Sequence, residues 1–248
     1  MRRPHVSCVA ALVLGAPLPL AAQAAPSVAA AGTATARYVR PAPPGALVDI
    51  GAGRRLHVEC KGPTGGPTVV IEAGLSQFTA HGSYGAAQDS IAAFARVCTY
   101  DRAGLGWSDP ATTERTHDAM VDDLRALLAA TRVTGPLVLV GHSMGGLLVR
   151  RYAQRFPRDV RAAVLLDATP EAMLFTEAAA AERRALVARI DAGLRAAGPG
   201  VPVVPMSAST PPEVMLAFTP EVLEAVKQEY AAIDRVPAPM RTDRGYGT

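Results

Sequence analysis

The most constraining feature of this chain is a Gly-His-Ser-Met-Gly turn at residues 141–145, which lies between an apolar segment and a helical pattern. The apolar segment, LVLV at residues 137–140, predicts a buried strand, and the pattern that follows runs to Phe156. Glycines on both sides of the serine allow a sharp turn, because they have no side chain to clash in crowded backbone. The stretch therefore predicts a strand, a tight turn that exposes the hydroxyl of Ser143, and a helix. A plain helix N-cap role for Ser143 is the alternative.

The order of the remaining elements predicts an α/β fold. Strands and helices alternate from residue 68 to residue 166, and the run at residues 68–71 is continuously apolar or β-branched, as in a strand that is buried on both faces. Alternation of this kind indicates a mostly parallel sheet with helices on both faces. The expected strands are residues 46–50, 54–60, 68–71, 97–100, 137–140 and 160–166, and the expected helices are residues 86–94, a segment from Thr116, and the segment that ends at Phe156.

The pattern changes to helices alone after Pro170. Leu186, Ile190 and Leu194 recur every four residues, a capping box spans residues 210–213, and Thr219-Pro220 is typical of a helix start. We therefore divide the chain into an α/β core at residues 46–170 and a segment at residues 171–248 that forms a helical lid and begins the return to the core.

The N-terminus has the pattern of an export signal. Arg2 and Arg3 precede an apolar run, and Ala22-Gln23-Ala24 forms a small-residue cleavage site. The run is too short for a membrane span, which needs about 20 residues, and two prolines interrupt it. We expect residues 1–24 to be a signal peptide, residues 25–45 to be a flexible Ala/Pro-rich leader, and the protein to be secreted or periplasmic, with no stable membrane span after cleavage.

Composition excludes several classes of function. The formal net charge of +3 falls by two when the signal is removed, and the remaining basic residues are interspersed with acidic ones, so nucleic acid is not an expected partner. His and Cys residues do not have the spacing of a zinc site, and there is no Gly-rich phosphate loop. We expect neither a metal nor a cofactor.

A serine nucleophile needs hydrogen-bond donors for the negative charge that develops on the carbonyl oxygen of its substrate. One candidate donor is the backbone N–H of Met144, directly after Ser143. The second is expected from the loop after the buried strand at residues 68–71, where Glu72-Ala73-Gly74-Leu75 offers the N–H of Leu75. Gly141 and Gly145 would provide the room for the turn.

From about Asp49 to Pro170 the chain resembles the α/β-hydrolase superfamily, in its branch of esterases and proline iminopeptidases. The resemblance is carried by TVVIEAGL, YDRAGLGWSDP, VGHSMGG and VLLDATP. It implies hydrolysis of small-molecule carboxylic esters through an acyl-enzyme on Ser143, and it implies that residues 101–110 shape a loop rather than act in catalysis. A serine in the turn differs from the aspartate of the dehalogenases and epoxide hydrolases. Where the family often has His-Gly, this chain has Ala73-Gly74.

The same resemblance bears on the two cysteines that remain after signal cleavage. The second and fourth strands of this fold are neighbours, and Cys60 and Cys98 lie on them. In an exported chain a disulfide between them is our hypothesis, and two small buried thiols are the alternative.

The histidine of the expected triad is missing. The family order is serine, acid, histidine, whereas all five histidines of this chain precede Ser143. We expect surface or cap roles for His57 and His117, and we regard His81 and Asp167 as weak candidates for base and acid.

Two interpretations remain open. The chain is either a truncated, catalytically incomplete form of an exported serine esterase, with the last two strands of the fold missing, or a natural non-catalytic relative that binds ligands. We favour truncation, because the turn at Ser143 is intact, and so is the loop Glu72-Ala73-Gly74-Leu75, which we call the donor loop. A proline-iminopeptidase-like aminopeptidase is the alternative enzyme.

Overall fold

Six strands of the described residues form one mixed sheet. They are β1 (Ala46–Asp49), β2 (Arg55–Lys61), β3 (Thr68–Glu72), β4 (Arg96–Tyr100), β5 (Leu137–His142) and β6 (Val160–Leu166). Their spatial order is β1-β2-β4-β3-β5-β6. The strands from β4 to β6 in this order are parallel, whereas β1 and β2 pair antiparallel with their neighbours. The computed structural model describes residues 42–75, 80–169, 176–197 and 220–233.

Helices cover both faces of the sheet, which confirms the predicted fold class. They are α1 (Ala80–Ala92), α2 (His117–Ala130), α3 (Met144–Arg155), α4 (Glu177–Ala197) and α5 (Pro220–Ile233). Alternate strand residues face opposite layers, because successive side chains of a strand point to opposite faces. Val70 and Leu139 pack with residues of α2 and α3, whereas Ile71 and Val140 pack with residues of α1.

Helix α2 begins with a side-chain cap and buries one apolar face. The hydroxyl of Thr116 accepts a hydrogen bond from the N–H of Ala119 at 3.1 Å, which satisfies one of the free donors of the first turn. One face of the helix is buried, and its apolar side chains are Met120, Val121, Leu124, Leu127 and Leu128. Packing of this stripe against the sheet places the start of α2 close to the loop that follows β4.

Helix α1 begins six residues before the predicted start at residue 86. Its first turns contain Gly82 and Gly85, which lower the local preference for helix. A tertiary contact outweighs this preference, since the N–H of Ala80 donates to the buried Asp101 carboxylate at 2.7 Å. That bond satisfies one of the N-terminal donors of the helix with a charged acceptor.

The disulfide hypothesis is confirmed. Cys60 and Cys98 lie directly opposite each other in the antiparallel β2–β4 pair, with 4.1 Å between their Cα atoms, and their sulfur atoms are bonded. The bond links the antiparallel part of the sheet to its parallel part.

Several predictions fall on other parts of the chain. The expected signal peptide, the leader up to residue 41 and the capping box at residues 210–213 lie outside the described residues, and they stay predictions. The two helices expected after Pro170 are present as α4 and α5. In the part of the chain that the structure describes, no helix combines the length and the apolar character needed to cross a membrane.

Candidate active site

The turn between β5 and α3 holds Ser143 in an unusual backbone conformation. Its φ and ψ are 50° and −122°, and a positive φ is uncommon for a residue with a side chain. Such a conformation costs on the order of 1–3 kcal/mol and persists only where the surrounding structure enforces it. Ser143 occupies the N-cap position of α3, but its side chain makes no cap hydrogen bond, so a role as a plain capping side chain is wrong.

Close backbone contacts explain the two glycines of the turn. A Cβ on Gly145 would lie 2.3 Å from the carbonyl oxygen of Glu72, and one on Gly141 would lie 2.6 Å from the carbonyl oxygen of Gly145. Both distances are below any tolerated contact, so a side chain at either position would force the backbone apart. The absence of these side chains lets the start of α3 pack directly on the end of β3.

Hydrogen bonds from the segment after β6 hold Ser143 in place. Its N–H donates to the carbonyl of Leu166 at 3.2 Å, and its own carbonyl accepts from the N–H of Thr169 at 3.3 Å. The Ser143 hydroxyl lies 3.1 Å from the Thr169 hydroxyl. Asp167, a candidate acid, lies between these contacts with an exposed side chain and a φ of 42°. The structure thus pairs the nucleophile candidate with Thr169.

The loop after β3 lies against the start of α3. Leu75 packs on the cluster that contains Met144 and Leu147, so the two residues whose N–H groups are candidate oxyanion donors are neighbours. Tyr84 of α1 supports this region from the other side. Its hydroxyl accepts from the N–H of Gly74 at 3.4 Å and shares a hydrogen bond with His142 Nδ1 at 2.9 Å.

Arg102 is buried beneath the same loop and bonds to several parts of the chain. Its guanidinium donates to the carbonyl oxygens of Ala73 and Gly74, both at 2.7 Å, and to the carboxylate of Glu72 at 2.8 Å. On the other side it binds both carboxylate oxygens of Glu229 in α5, at 2.5 and 2.9 Å. Sequence reasoning missed this network, although Arg102 stands in the recognised motif and Glu72 ends a buried strand.

Burial is the largest single effect on the pKa of Glu72, Tyr100 and Arg102. It raises the pKa of the Glu72 carboxyl, and the opposing effects of Arg102 and of the hydrogen bond from Tyr100 offset this only in part. It also raises the pKa of Tyr100 well above its ordinary value, to which the Glu72 charge adds. Burial disfavours the charge on Arg102, but Glu229 and Glu72 outweigh it and raise the arginine pKa further. Arg102 is therefore a permanent cation at the base of the loop.

The expectation of a surface or cap role for His57 is wrong. Its side chain is 1% exposed, and its Nδ1 lies 2.8 Å from Asp101 Oδ2. The same carboxylate oxygen accepts from the N–H of Trp107 at 3.1 Å, and the Trp107 ring packs against the imidazole. The loop of residues 101–110 covers this face of β2, which is why a position that alternates with apolar residues is buried. The pair supports the loop-shaping role expected for this motif.

The expectation for His117 is also wrong. It is the first residue of α2, but its side chain is 0% exposed, and neither ring nitrogen has a hydrogen-bond partner among the described residues. Burial lowers its pKa to about 4, so the ring is neutral at neutral pH. The side chain of His81 lies outside the described residues. Among the histidine side chains that are described, none bonds to the Ser143 hydroxyl.

Comparison with known proteins identifies the family. The model of the alpha/beta hydrolase fold family matches residues 67–191, which is half of the chain and includes both the donor loop and the serine turn. This chain belongs to the alpha/beta hydrolase fold family.

Similar curated proteins include one with a named esterase activity. The bifunctional esterase/perhydrolase DCH of Acinetobacter calcoaceticus is 41% identical over 83 residues, which are 33% of this chain and 30% of that protein. The uncharacterized protein YqjL of Bacillus subtilis is 33% identical over 115 residues, which are 46% of this chain and 45% of that protein. The chain spans less than half the length of the curated relatives it matches.

Solved structures agree on the fold. An esterase from Exiguobacterium antarcticum superposes with a TM-score of 0.56 at 18% identity, covering 76% of this chain and 73% of that one. In the part of the hydrolase that the structure describes, no group of three His, Cys, Asp or Glu side chains could hold a metal ion.

Proposed function

We propose that this alpha/beta hydrolase is an exported serine esterase that cleaves small carboxylic esters through an acyl-enzyme on Ser143. The observation that carries the proposal is the turn at Ser143, where a non-glycine residue between a buried strand and a helix has a φ of 50°, because strained positions of this kind cluster at active sites. The named esterase among the curated relatives supports ester as the substrate class.

In the proposed reaction the Ser143 oxygen attacks the ester carbonyl carbon and its proton passes to a base. The negative charge that develops on the carbonyl oxygen is stabilised by the N–H groups of Met144 and Leu75, at adjoining positions of the site. The alcohol leaves with a proton, and water then releases the acid from Ser143 by the same steps. No cofactor takes part.

The base is proposed to be a histidine on a segment that covers β6. Val164, Leu165 and Leu166 of this strand are 43%, 43% and 46% exposed, although strands of a parallel sheet are normally buried on both faces. A covering segment would lie beside Ser143, because the N–H of Ser143 already bonds to the carbonyl of Leu166.

Export is proposed from the signal pattern of residues 1–24, and the bond between Cys60 and Cys98 supports it, because disulfides persist in oxidising compartments. Expression of the full chain in a bacterium with a periplasm tests this. The mature protein should be found outside the cytoplasm with a mass that matches cleavage after Ala24. Cytoplasmic protein of full mass would contradict export.

A fluorophosphonate probe and a nitrophenyl ester test the esterase proposal. We expect the probe to modify Ser143 covalently, and Ser143→Ala to abolish both the labelling and any ester hydrolysis. The second candidate, a non-catalytic ligand-binding relative, is favoured by the bond between the hydroxyls of Ser143 and Thr169. Absence of labelling at high probe concentration, together with ligand binding to the folded protein, would select that candidate. Cleavage of N-terminal proline peptides in preference to esters would select the aminopeptidase.

A further inference from the structure

Helix α5 packs on the residues that surround the candidate site at three places. Ala232 and Ile233 join the cluster that contains Met144 and Leu75. Leu105, in the loop after β4, packs on a cluster of α5 side chains made of Val222, Ala225 and Val226. The third place is the buried ion pair between Arg102 and Glu229.

The contact at Gly104 shows how closely the helix approaches the loop. A Cβ on this glycine would lie 2.5 Å from the Cβ of Ala225, and its φ of 81° is itself one that favours glycine. Helix α5 therefore packs directly on the loop after β4, with no room for a side chain at Gly104.

Arg102 uses all five of its N–H donors in this arrangement. Nε and one donor of Nη2 bind the two carboxylate oxygens of Glu229, while the other donor of Nη2 binds the carbonyl of Gly74. The two donors of Nη1 bind the carboxylate of Glu72 and the carbonyl of Ala73. A change in the position of Glu229 would therefore move the same planar group that holds the loop carbonyls.

The bond to Gly74 acts on the candidate oxyanion donor through the peptide plane. The carbonyl of Gly74 and the N–H of Leu75 belong to one peptide unit, and that unit is planar with the two groups pointing in opposite directions. A guanidinium that fixes the direction of the carbonyl at 2.7 Å therefore fixes the direction of the Leu75 N–H. The bond to Ala73 does the same for the N–H of Gly74, which donates to Tyr84.

We propose that Arg102 and Glu229 are positioning residues that make the orientation of the Leu75 N–H depend on the docking of α5. The proposal rests on the proposed function, because it concerns the oxyanion donor of the esterase. It gives α5 a second role beside that of a lid, since its displacement would weaken stabilisation of the oxyanion as well as open the site.

Hydrogen exchange tests the coupling without any need for activity. The variants are Arg102→Lys, which keeps the charge but has three donors instead of five, Glu229→Ala, and Glu229→Gln, which keeps one acceptor for the guanidinium. In Arg102→Lys and Glu229→Ala we expect the amide of Gly74, which is bonded to Tyr84, to exchange roughly ten-fold faster than in the wild type, and in Glu229→Gln we expect an intermediate rate.

Matched controls separate coupling from general loss of stability. Glu224→Ala removes an exposed carboxylate from the same helix, where it pairs with Lys227, and Arg115→Lys changes another buried arginine, which pairs with Asp123. Neither control should change exchange at Gly74. Equal acceleration in the controls, or an unchanged rate in Glu229→Ala, would overturn the proposal.

Kinetics with the full chain then tests the consequence for the reaction. Arg102→Lys and Glu229→Ala should lower the rate at which a fluorophosphonate labels Ser143 by roughly 10- to 100-fold, because an oxyanion donor acts in the transition state. Glu229→Gln should recover part of the loss. A labelling rate that is the same in these variants as in the wild type would overturn the positioning role. A wild-type chain that the probe does not label at Ser143 would instead contradict the proposed function, and the exchange rates would still decide the coupling.

Discussion

Replacement of the buried His117 by leucine should change the pH dependence of stability. The ring is fully buried without a described hydrogen-bond partner, and burial holds its pKa at about 4. Burial is the largest effect, and the charged groups around the ring act in both directions, since Asp118 and Glu229 raise the pKa and Arg102 and Arg151 lower it. Folded protein therefore resists protonation of this ring, whereas the unfolded chain accepts a proton near pH 6.5.

The sign and size of the effect follow from these two pKa values. Because the folded-state pKa is the lower one, the contribution of neutral His117 is complete above pH 6.5, declines as the pH falls, and is lost at about pH 4. The full difference corresponds to roughly 3 kcal/mol, of which about 2 kcal/mol is lost by pH 5. At pH 8 the free energy of unfolding of the leucine variant should lie within about 1 kcal/mol of the wild-type value. The substitution replaces a ring with two polar atoms that have no described hydrogen-bond partner by an apolar side chain.

Urea unfolding at pH 5 and at pH 8 measures this difference. Trp107 is the only tryptophan of the chain and is 3% exposed, so its fluorescence reports unfolding. The carboxylates titrate in both proteins, and their effect cancels when the two are compared. We expect His117→Leu to gain about 2 kcal/mol relative to the wild type between pH 8 and pH 5. A difference between the two proteins that is the same at both pH values would refute the reasoning.

Three further changes test other parts of the structure. Gly145→Ala should destabilise the protein by about 1–3 kcal/mol in urea unfolding, because its Cβ would meet the carbonyl at the end of β3 at 2.3 Å, whereas Gly85→Ala has open space in α1 and should be neutral or stabilising. Replacement of Cys60 and Cys98 by serine should cost about 3–4 kcal/mol, since the bond closes a loop with a sequence separation of 38. The chain should hydrolyse a nitrophenyl ester near the background rate, because no described histidine side chain bonds to Ser143, and removal of the histidine in a serine protease lowers turnover by about 10⁶-fold.

Each of these has a result that would contradict it. Equal stability of the two glycine variants would mean that the turn relaxes freely. Two thiols titrated in the unfolded wild type without reductant would exclude the disulfide. Fast turnover by the 248-residue form that depends on Ser143 would show that a group within it acts as the base, and His81 would be the first to replace.

The strands and the serine turn could be predicted because their signals are local. The apolar and alternating runs predict the bounds of β3, β5 and β6 to within two residues of those observed. Thr116 predicts the start of α2, because its own side chain caps the first turn of that helix. The start of α1 was missed by six residues because the signal is not local. It depends on a carboxylate of Asp101, which follows the next strand and reaches back to Ala80.

The supports of the candidate site could not be predicted for the same reason. Arg102 and Glu229 are 127 residues apart in the chain, and the spacing that puts Glu229 on the same face of α5 as Val222 and Val226 does not indicate which cation it binds. His57 alternates with apolar neighbours and so was expected to face solvent. Its burial depends on a loop that crosses β2 and supplies Asp101 and Trp107 as partners.

Strand β6 bears on both the stability of the protein and its proposed catalysis. Its residues are exposed along most of their length, yet its last carbonyl and the segment behind it hold Ser143 through Leu166 and Thr169. A segment that paired with β6 would bury Val164 and Leu165 and would at the same time restrict the backbone that orients the Ser143 hydroxyl. If that segment ran parallel to β6, a side chain at the carboxyl end of the segment would lie near Ser143, because the carboxyl ends of parallel strands lie at one edge of the sheet. Burial of this strand and delivery of a base to the serine are thus one structural event in the proposed enzyme.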